Sequence, residues 1–488
     1  MPGYQMALIM MIGYLVIALI VGIMAGRGRD SGSLDEFAVA GRGISLFVMW
    51  FLMGGAVFSA FSFLGAPGWA YSKGAPALYI ITYTAFAILP WYIIGPKVGK
   101  IGRKHNLYTV AAFLKGRFKS PAIAVIVGLI ALFASVQYLA TQMSGMAIIF
   151  DIMTEGRIPI WLGALISYGI VVIYVATGGL RAAAWSDVFQ GLLMIIVSWV
   201  VGMTIVYQLH GGPADMFTKM VAETPEFLQI GKEGSSMGPI AYTTTILISV
   251  IGFLMWPHLF SKSYASNSRT IKKTVLAYPV FALFLVPLLL VGFAAKGVVD
   301  SSELANSDQI LPYLITVVMN LPGWLYGLVG AGALAAAMST ADAITHSASL
   351  EVTDGIIKNI WKNLSDKKTL LIMRIGVFVI GALAYYITVF GGQGLIALLL
   401  GAYGSIAQFA PGVYSALYWR RANAKGVISG LVVGTLVNYY YQLVATSTPF
   451  EIHAGILGLI ANIVVMVTVS YLTKPQDEED VKKYVDAA

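Results

Sequence analysis

The 488-residue chain contains no cysteine. That excludes disulfides, thiolate metal sites and cysteine nucleophiles. Charge is scarce as well: Asp, Glu, Lys and Arg make up 11% of the residues, against 58% hydrophobic. Soluble domains carry roughly a quarter charged residues, so a water-exposed surface could not be covered. No regular apolar/polar alternation of the kind that marks transmembrane strands dominates any region. A membrane-spanning β-barrel is thereby excluded in favour of an all-α polytopic membrane protein.

What the chain has instead is long apolar runs. A helix needs about 20 mainly apolar residues to cross the hydrocarbon core, and on that criterion about 13 spans are expected. They fall at 5–26, 44–71, 74–96, 121–150, 159–177, 183–208, 238–260, 274–296, 323–347, 371–391, 394–419, 426–446 and 452–473. The first run lacks a basic n-region and a small-residue cleavage site, which predicts a retained helix rather than a signal peptide. The segment from 474 to 488 is polar and mixed in charge and predicts a mobile tail. No soluble domain is expected, so 1–488 reads as one membrane domain.

The few charges are unevenly placed. With the spans above, one side collects Arg27, Arg29, Arg42, Lys97, Lys100, Arg103, Lys104, Lys115, Arg117, Lys119, Arg181, Lys262, Arg269, Lys272, Lys273, Lys358, Lys362, Lys367, Lys368, Arg374, Arg420, Arg421, Lys425 and the tail lysines Lys474, Lys482 and Lys483. The other holds only Lys73, Arg157, Lys219, Lys232 and Lys296. Basic residues favour the cytoplasmic side, which predicts an external N-terminus and a cytoplasmic C-terminus. The formal net charge of +8 is therefore a topology signal and calls for no nucleic-acid partner. The implied partner is membrane lipid; no obligate protein partner is evident. On this reading no Lys or Arg sits at mid-membrane depth, so an anionic substrate would need helix N-termini, hydroxyls or a bound cation.

Three stretches interrupt the apolar pattern. Residues 50–71 contain Gly54, Gly55, Ser59, Ser62, Gly65, Pro67 and Gly68. Such small residues serve close helix packing equally well. Residues 252–266 contain Trp256, Pro257 and His258, and Pro257 must kink or break its helix. Breaks in two corresponding spans point to a transport site between inverted repeats, where unwound carbonyls bind cations. In the third stretch, 330–349, Ala336, Ser339 and Thr340 stand at i, i+3 and i+4 and share one helical face. Hydroxyls and a free carbonyl suit a hard cation, although Ser and Thr can also bond back to their own helix.

Four ionisable groups within or beside the spans are candidates for a functional role. Asp342 follows Ser339 by nearly one turn, and a carboxylate at that depth is costly and usually functional. Asp187 either caps the helix it begins or reaches a cation near Asp342. His258 and His346 are candidate proton carriers, but each is more often a hydrogen-bonded core group. These groups are too scattered for an enzyme active site, and a channel would show a repeated pore motif or a charged ring.

The segments GGAVFSAFSFLGAPG (54–68), GGLRAAAWSDVFQG (178–191) and AAAMSTAD (335–342) together resemble the sodium:solute symporter family over nearly the whole chain. The resemblance implies a five-plus-five inverted repeat of the leucine-transporter type, here 44–208 and 238–419, with one extra helix before and two after. It implies Na⁺ as coupling ion, held by carbonyls of Gly55, Phe58 and Ala336 and hydroxyls of Ser339 and Thr340. Some members bind a second sodium near the counterpart of Asp187. Here Asp342 and Ala343 replace hydroxyls of that site, a departure from the family pattern: the alternatives are Asp187 and Asp342 as a second cation or exit site, or Asp342 as a charge or proton partner. Implied substrate contacts are Ser59, Ser62, Thr82, Tyr138, Gln142 and Trp256. The stretches 41–74, 138–146 and 253–273 resemble the monocarboxylate permease branch, which moves lactate, pyruvate or propionate. Pantothenate or proline as solute, or protons in place of sodium, are the alternatives.

Overall fold

A computed structural model describes residues 3–27, 32–231, 237–319, 321–391 and 402–487, and the described residues are almost entirely helical. Among the described residues, eight helices are long and apolar enough to cross a membrane, or up to eleven if each of three bent helix pairs is one span. The expected spans 159–177 and 183–208 lie in one hydrogen-bonded run, Ile160–His210. At 1.5 Å per residue such a run, if straight, would reach roughly 75 Å, more than twice the hydrocarbon thickness. The chain turns at Gly179 (φ 55°, ψ −145°). A Cβ there would lie 2.4 Å from the Phe37 carbonyl oxygen, so only glycine fits. The first part of the expected span 394–419, through residue 401, and Arg29 and Lys232 lie outside the described residues.

The outermost helices turn apolar side chains outward, as Ile9, Ile12, Ile17 and Ile20 of Gly3–Gly26 show. In water such faces would demand a partner; in a bilayer they meet lipid. The opposite case is Gly323–Val352, buried along nearly its whole length. It packs against Gly3–Gly26, Pro121–Met153 and Ile160–His210. Its small residues allow that closeness: a Cβ on Gly332 would lie within 2.7 Å of Val197, and one on Gly330 within 2.9 Å of Met11.

Both expected breaks are present. The helix Leu46–Gly55 ends, and regular structure resumes only at Phe61. The opened backbone is satisfied from the side. Gln142 Oε1 accepts from the Ala60 N–H at 2.9 Å, and Ser62 donates to the Val57 carbonyl at 2.8 Å. The second break separates Pro239–Phe253 from Pro257–Phe260, bent by 50° at a Trp256 with extended ψ. Pro257 is the local cause, since it has no N–H to continue the ladder.

The polar tail differs from expectation. Glu478–Val485 is a helix capped by Asp477, and it docks on the bundle. Tyr484 stacks on His105 and meets Phe113 edge-on, with ring centroids 6.0 and 5.2 Å apart. Lys97 donates to the Val485 carbonyl, and Arg420 bridges Glu478 and Asp486. Charge alone predicts a mobile segment, yet Val481 and Tyr484 share one face and are buried. Burial pushes the Tyr484 phenol up and the nearby Arg117 guanidinium down to about 10.

Candidate functional site

The first break and the buried central helix meet at Ser339. Its Oγ lies 3.1 Å from the Gly55 carbonyl oxygen, 3.4 Å from that of Phe58 and 3.1 Å from that of Ala336. Thr340 Oγ1 lies 3.1 Å from the same Gly55 oxygen. A hydroxyl carries one proton, so Ser339 can satisfy only one of three carbonyls. The remaining lone pairs converge, and oxygen-rich sites of this kind suit a hard cation. Thus Gly55, Phe58, Ala336, Ser339 and Thr340 form one cluster, although the first two are some 280 residues from the others.

Two carboxylates border it. Asp187 is fully buried against Gly55: a Cβ on that glycine would lie 3.1 Å from Asp187 Cγ. Neither Asp187 oxygen has a hydrogen-bond partner among the described residues. Asp342 accepts from the Tyr174 hydroxyl at 2.8 Å, and its other oxygen is likewise unpartnered. Asp187 is therefore no simple helix cap, because a capping carboxylate would accept from backbone N–H groups.

The expectation that no basic group lies at depth fails at Lys262. Hydropathy groups this residue with Arg269, Lys272 and Lys273, since charge ends the apolar run. The bend at Pro257 instead turns the short helix inward. Lys262 is 0% exposed, and its ammonium donates to the Leu52 carbonyl. Its signal in the sequence is its place one turn and a half beyond a helix-breaking proline.

Around the second break lies an aromatic cluster. Tyr138 and Trp256 have centroids 4.8 Å apart, Trp256 and Tyr403 5.4 Å, and Trp256 and His258 5.6 Å. Tyr83 meets Tyr403 at 6.4 Å. Ser59 faces Tyr138. Trp256 Nε1, a donor only, is buried without an acceptor among the described residues. Ser62 and Gln142 are adjacent in the fold but are engaged in supporting the first break. Thr82 is not brought in: it bonds back to the Leu78 carbonyl and faces Tyr242. Its neighbours Tyr83 and Thr84 are the buried ones. Sequence spacing could not choose among them, because the short helix Tyr79–Phe86 has apolar residues all round. His346 Nε2 donates to the Phe37 carbonyl (2.8 Å), and the ring packs on that of Phe37, away from the aromatic cluster.

A family model, the sodium:solute symporter family, matches residues 37–434. The chain belongs to the sodium:solute symporter family. It is accordingly a membrane transporter and not an enzyme, and Na⁺ is its coupling ion. The symporter is 30% identical to a Bacillus subtilis protein named "Uncharacterized symporter YhjB", covering 96% of this chain and 97% of that one. It is 26% identical to the monocarboxylate transport permease protein of Rhizobium johnstonii, covering 96% of each. In fold it matches the solved outward-open structure of a Na⁺-coupled sialic acid symporter. The TM-score is 0.81 at 18% identity, over 97% of this symporter and 99% of that chain.

Proposed function

We propose that this symporter moves a small monocarboxylate of the lactate, pyruvate or propionate type together with Na⁺. The observation that carries the sodium half is the convergence of three backbone carbonyls and two hydroxyls at Ser339. Gly55, Phe58, Ala336, Ser339 and Thr340 are the sodium ligands in this reading, and Asp187 and Asp342 line the way out. The solute half is supported by the similarity to a monocarboxylate permease and by the buried donors beside the break. Trp256 Nε1, Tyr138 and Ser59 would hold a carboxylate.

Cation and solute share the first broken helix. Sodium drawing the Gly55 and Phe58 carbonyls toward Ser339 fixes the backbone on which Ser59 is mounted. Coupling then follows from binding energy, since each ligand stabilises the geometry the other requires. Residues 44–208 and 238–419 are the two repeats that rock about this centre, with the N-terminus outside and the C-terminus in the cytoplasm. The polar end that gathers Lys97, Arg117, Arg420 and the C-terminal helix is the cytoplasmic one on this assignment.

The test is thermal stabilisation of the detergent-purified protein by lactate, pyruvate and propionate, in Na⁺ and in K⁺. A ligand of the folded state raises its apparent stability by mass action. A shift from these acids that requires Na⁺ is expected. A shift from pantothenate, proline or a sugar, with none from the acids, would reject the monocarboxylate reading.

A further inference from the structure

Among the described residues, the ammonium of Lys262 is the cationic group that reaches the pair of buried carboxylates. It is bonded to the Leu52 carbonyl, three residues before Gly55. It is attracted to both Asp187 and Asp342 but forms no direct ion pair with either among the described residues. The carboxylate oxygens therefore stay open: both of Asp187 and one of Asp342 lack a partner there. All three residues are fully buried.

The balance of charge decides what this cluster can take up. With both carboxylates ionised, as a bound cation would require, they and one ammonium leave a single net negative charge in a fully buried region. An unbalanced buried charge is strongly disfavoured, so the cluster favours taking up one further monovalent cation. One Na⁺ at the Ser339 oxygens brings the region to neutrality. A second would overcharge it, and Lys262 already supplies the positive charge that a second ion would bring. A lysine amine cannot leave, so its charge stays with the protein through a transport cycle.

We propose that Lys262 is a built-in cation that stands in for a second sodium beside Asp187 and Asp342, and thereby fixes the sodium stoichiometry at one. The proposal rests on the sodium-site reading above. It also assigns a reason for the bond to Leu52: the carbonyl anchors the amine near the carboxylates while keeping it off their oxygens. An amine in direct contact would compete with the transported ion.

The experiment is equilibrium binding of ²²Na⁺ to the purified full-length chain, with choline replacing sodium at constant ionic strength. The wild type is expected to bind about one Na⁺ per chain with a Hill coefficient near one, and Lys262→Arg likewise; Lys262→Met, similar in size but neutral, is expected to bind about two. Two sodium ions on the wild type, or an unchanged single ion of unchanged affinity on Lys262→Met, would overturn the proposal. A charge cycle covers the case in which Lys262→Met fails to fold. Asp187→Asn leaves the region neutral without an ion, so its Na⁺ affinity should fall by about tenfold or more. Adding Lys262→Met to it restores the single negative charge and should recover most of that loss. Failure to recover it also overturns the proposal. Ser339→Ala separates the two readings: it should weaken the sodium ion common to every background by about tenfold, and if it does not, the sodium-site reading is at fault whatever the count.

Discussion

Ser339 and Thr340 contribute the side-chain oxygens of the converging cluster, the rest being backbone carbonyls. Removing both hydroxyls leaves the carbonyls without their shared partner. Ser339→Ala with Thr340→Ala should raise the Na⁺ concentration for half-maximal binding by at least about tenfold, or ~1.4 kcal/mol. An unchanged sodium dependence would contradict the assignment. Gly54 tests packing rather than ligation. A Cβ there would lie 2.1 Å from Phe281 Cζ, and the ring is held by Trp50 and Phe51 at 4.2 and 6.2 Å. Gly54→Ala should cost about 1–3 kcal/mol by overpacking, read as a lowered melting temperature. That Ala336, Ser339 and Thr340 share one face was legible from helical spacing alone. Lys262 was not, because depth is a property of the folded path and a linear hydropathy count cannot see a chain bend back.

At the scale of elements, the first break depends on a helix it does not belong to. Gln142, on Pro121–Met153, supplies the acceptor for Ala60 N–H and is itself tied to the Tyr138 carbonyl. An unsatisfied buried N–H costs about 1–3 kcal/mol. Gln142→Leu, similar in volume, should therefore lower stability by that amount and weaken Na⁺ binding with it, since Gly55 and Phe58 lie in the segment released. Stability lost with sodium affinity unchanged would separate the break from the ion site. The packing of the second half of that broken helix is equally close. A Cβ on Gly292 would meet the Pro67 carbonyl oxygen at 2.1 Å. The positions of both breaks were readable from Gly54–Gly55 and Pro257. What holds them open was not, because Gln142 and Ser62 look the same in sequence whether they bind solute or backbone.

For the whole molecule, the ends of the chain report its orientation and closure. The C-terminal helix is held by exposed ion pairs at Arg420, which contribute roughly 0–1 kcal/mol each. The burial of Tyr484 and Val481 against Phe113 and His105 stabilises the docking more, since a buried large side chain contributes about 1.5–3 kcal/mol. Tyr484→Ala should lower the melting temperature more than Arg420→Ala. The reverse order would mean that charge docks the helix. Topology is testable without background labelling, since the chain has no cysteine. Thr218→Cys should react with an impermeant thiol reagent on intact cells and Lys367→Cys only after permeabilisation; both sites are exposed. The opposite pattern would invert the orientation.

The sequence by itself determined that this is a helical membrane protein, where its helices break, and which hydroxyls line up on the buried helix. These follow from local chemistry: apolar length, glycine and proline, and a 3.6-residue period. Only the tertiary structure decided which distant groups share a site. It brought Gly55 to Ser339, set Asp187 beneath Gly55, placed Tyr83 and Tyr403 rather than Thr82 in the aromatic cluster, drew the C-terminal helix onto the bundle, and carried Lys262 inward. Each of those depends on where a bent chain returns in space, and on a buried charge being tolerable only when another charge is placed to meet it.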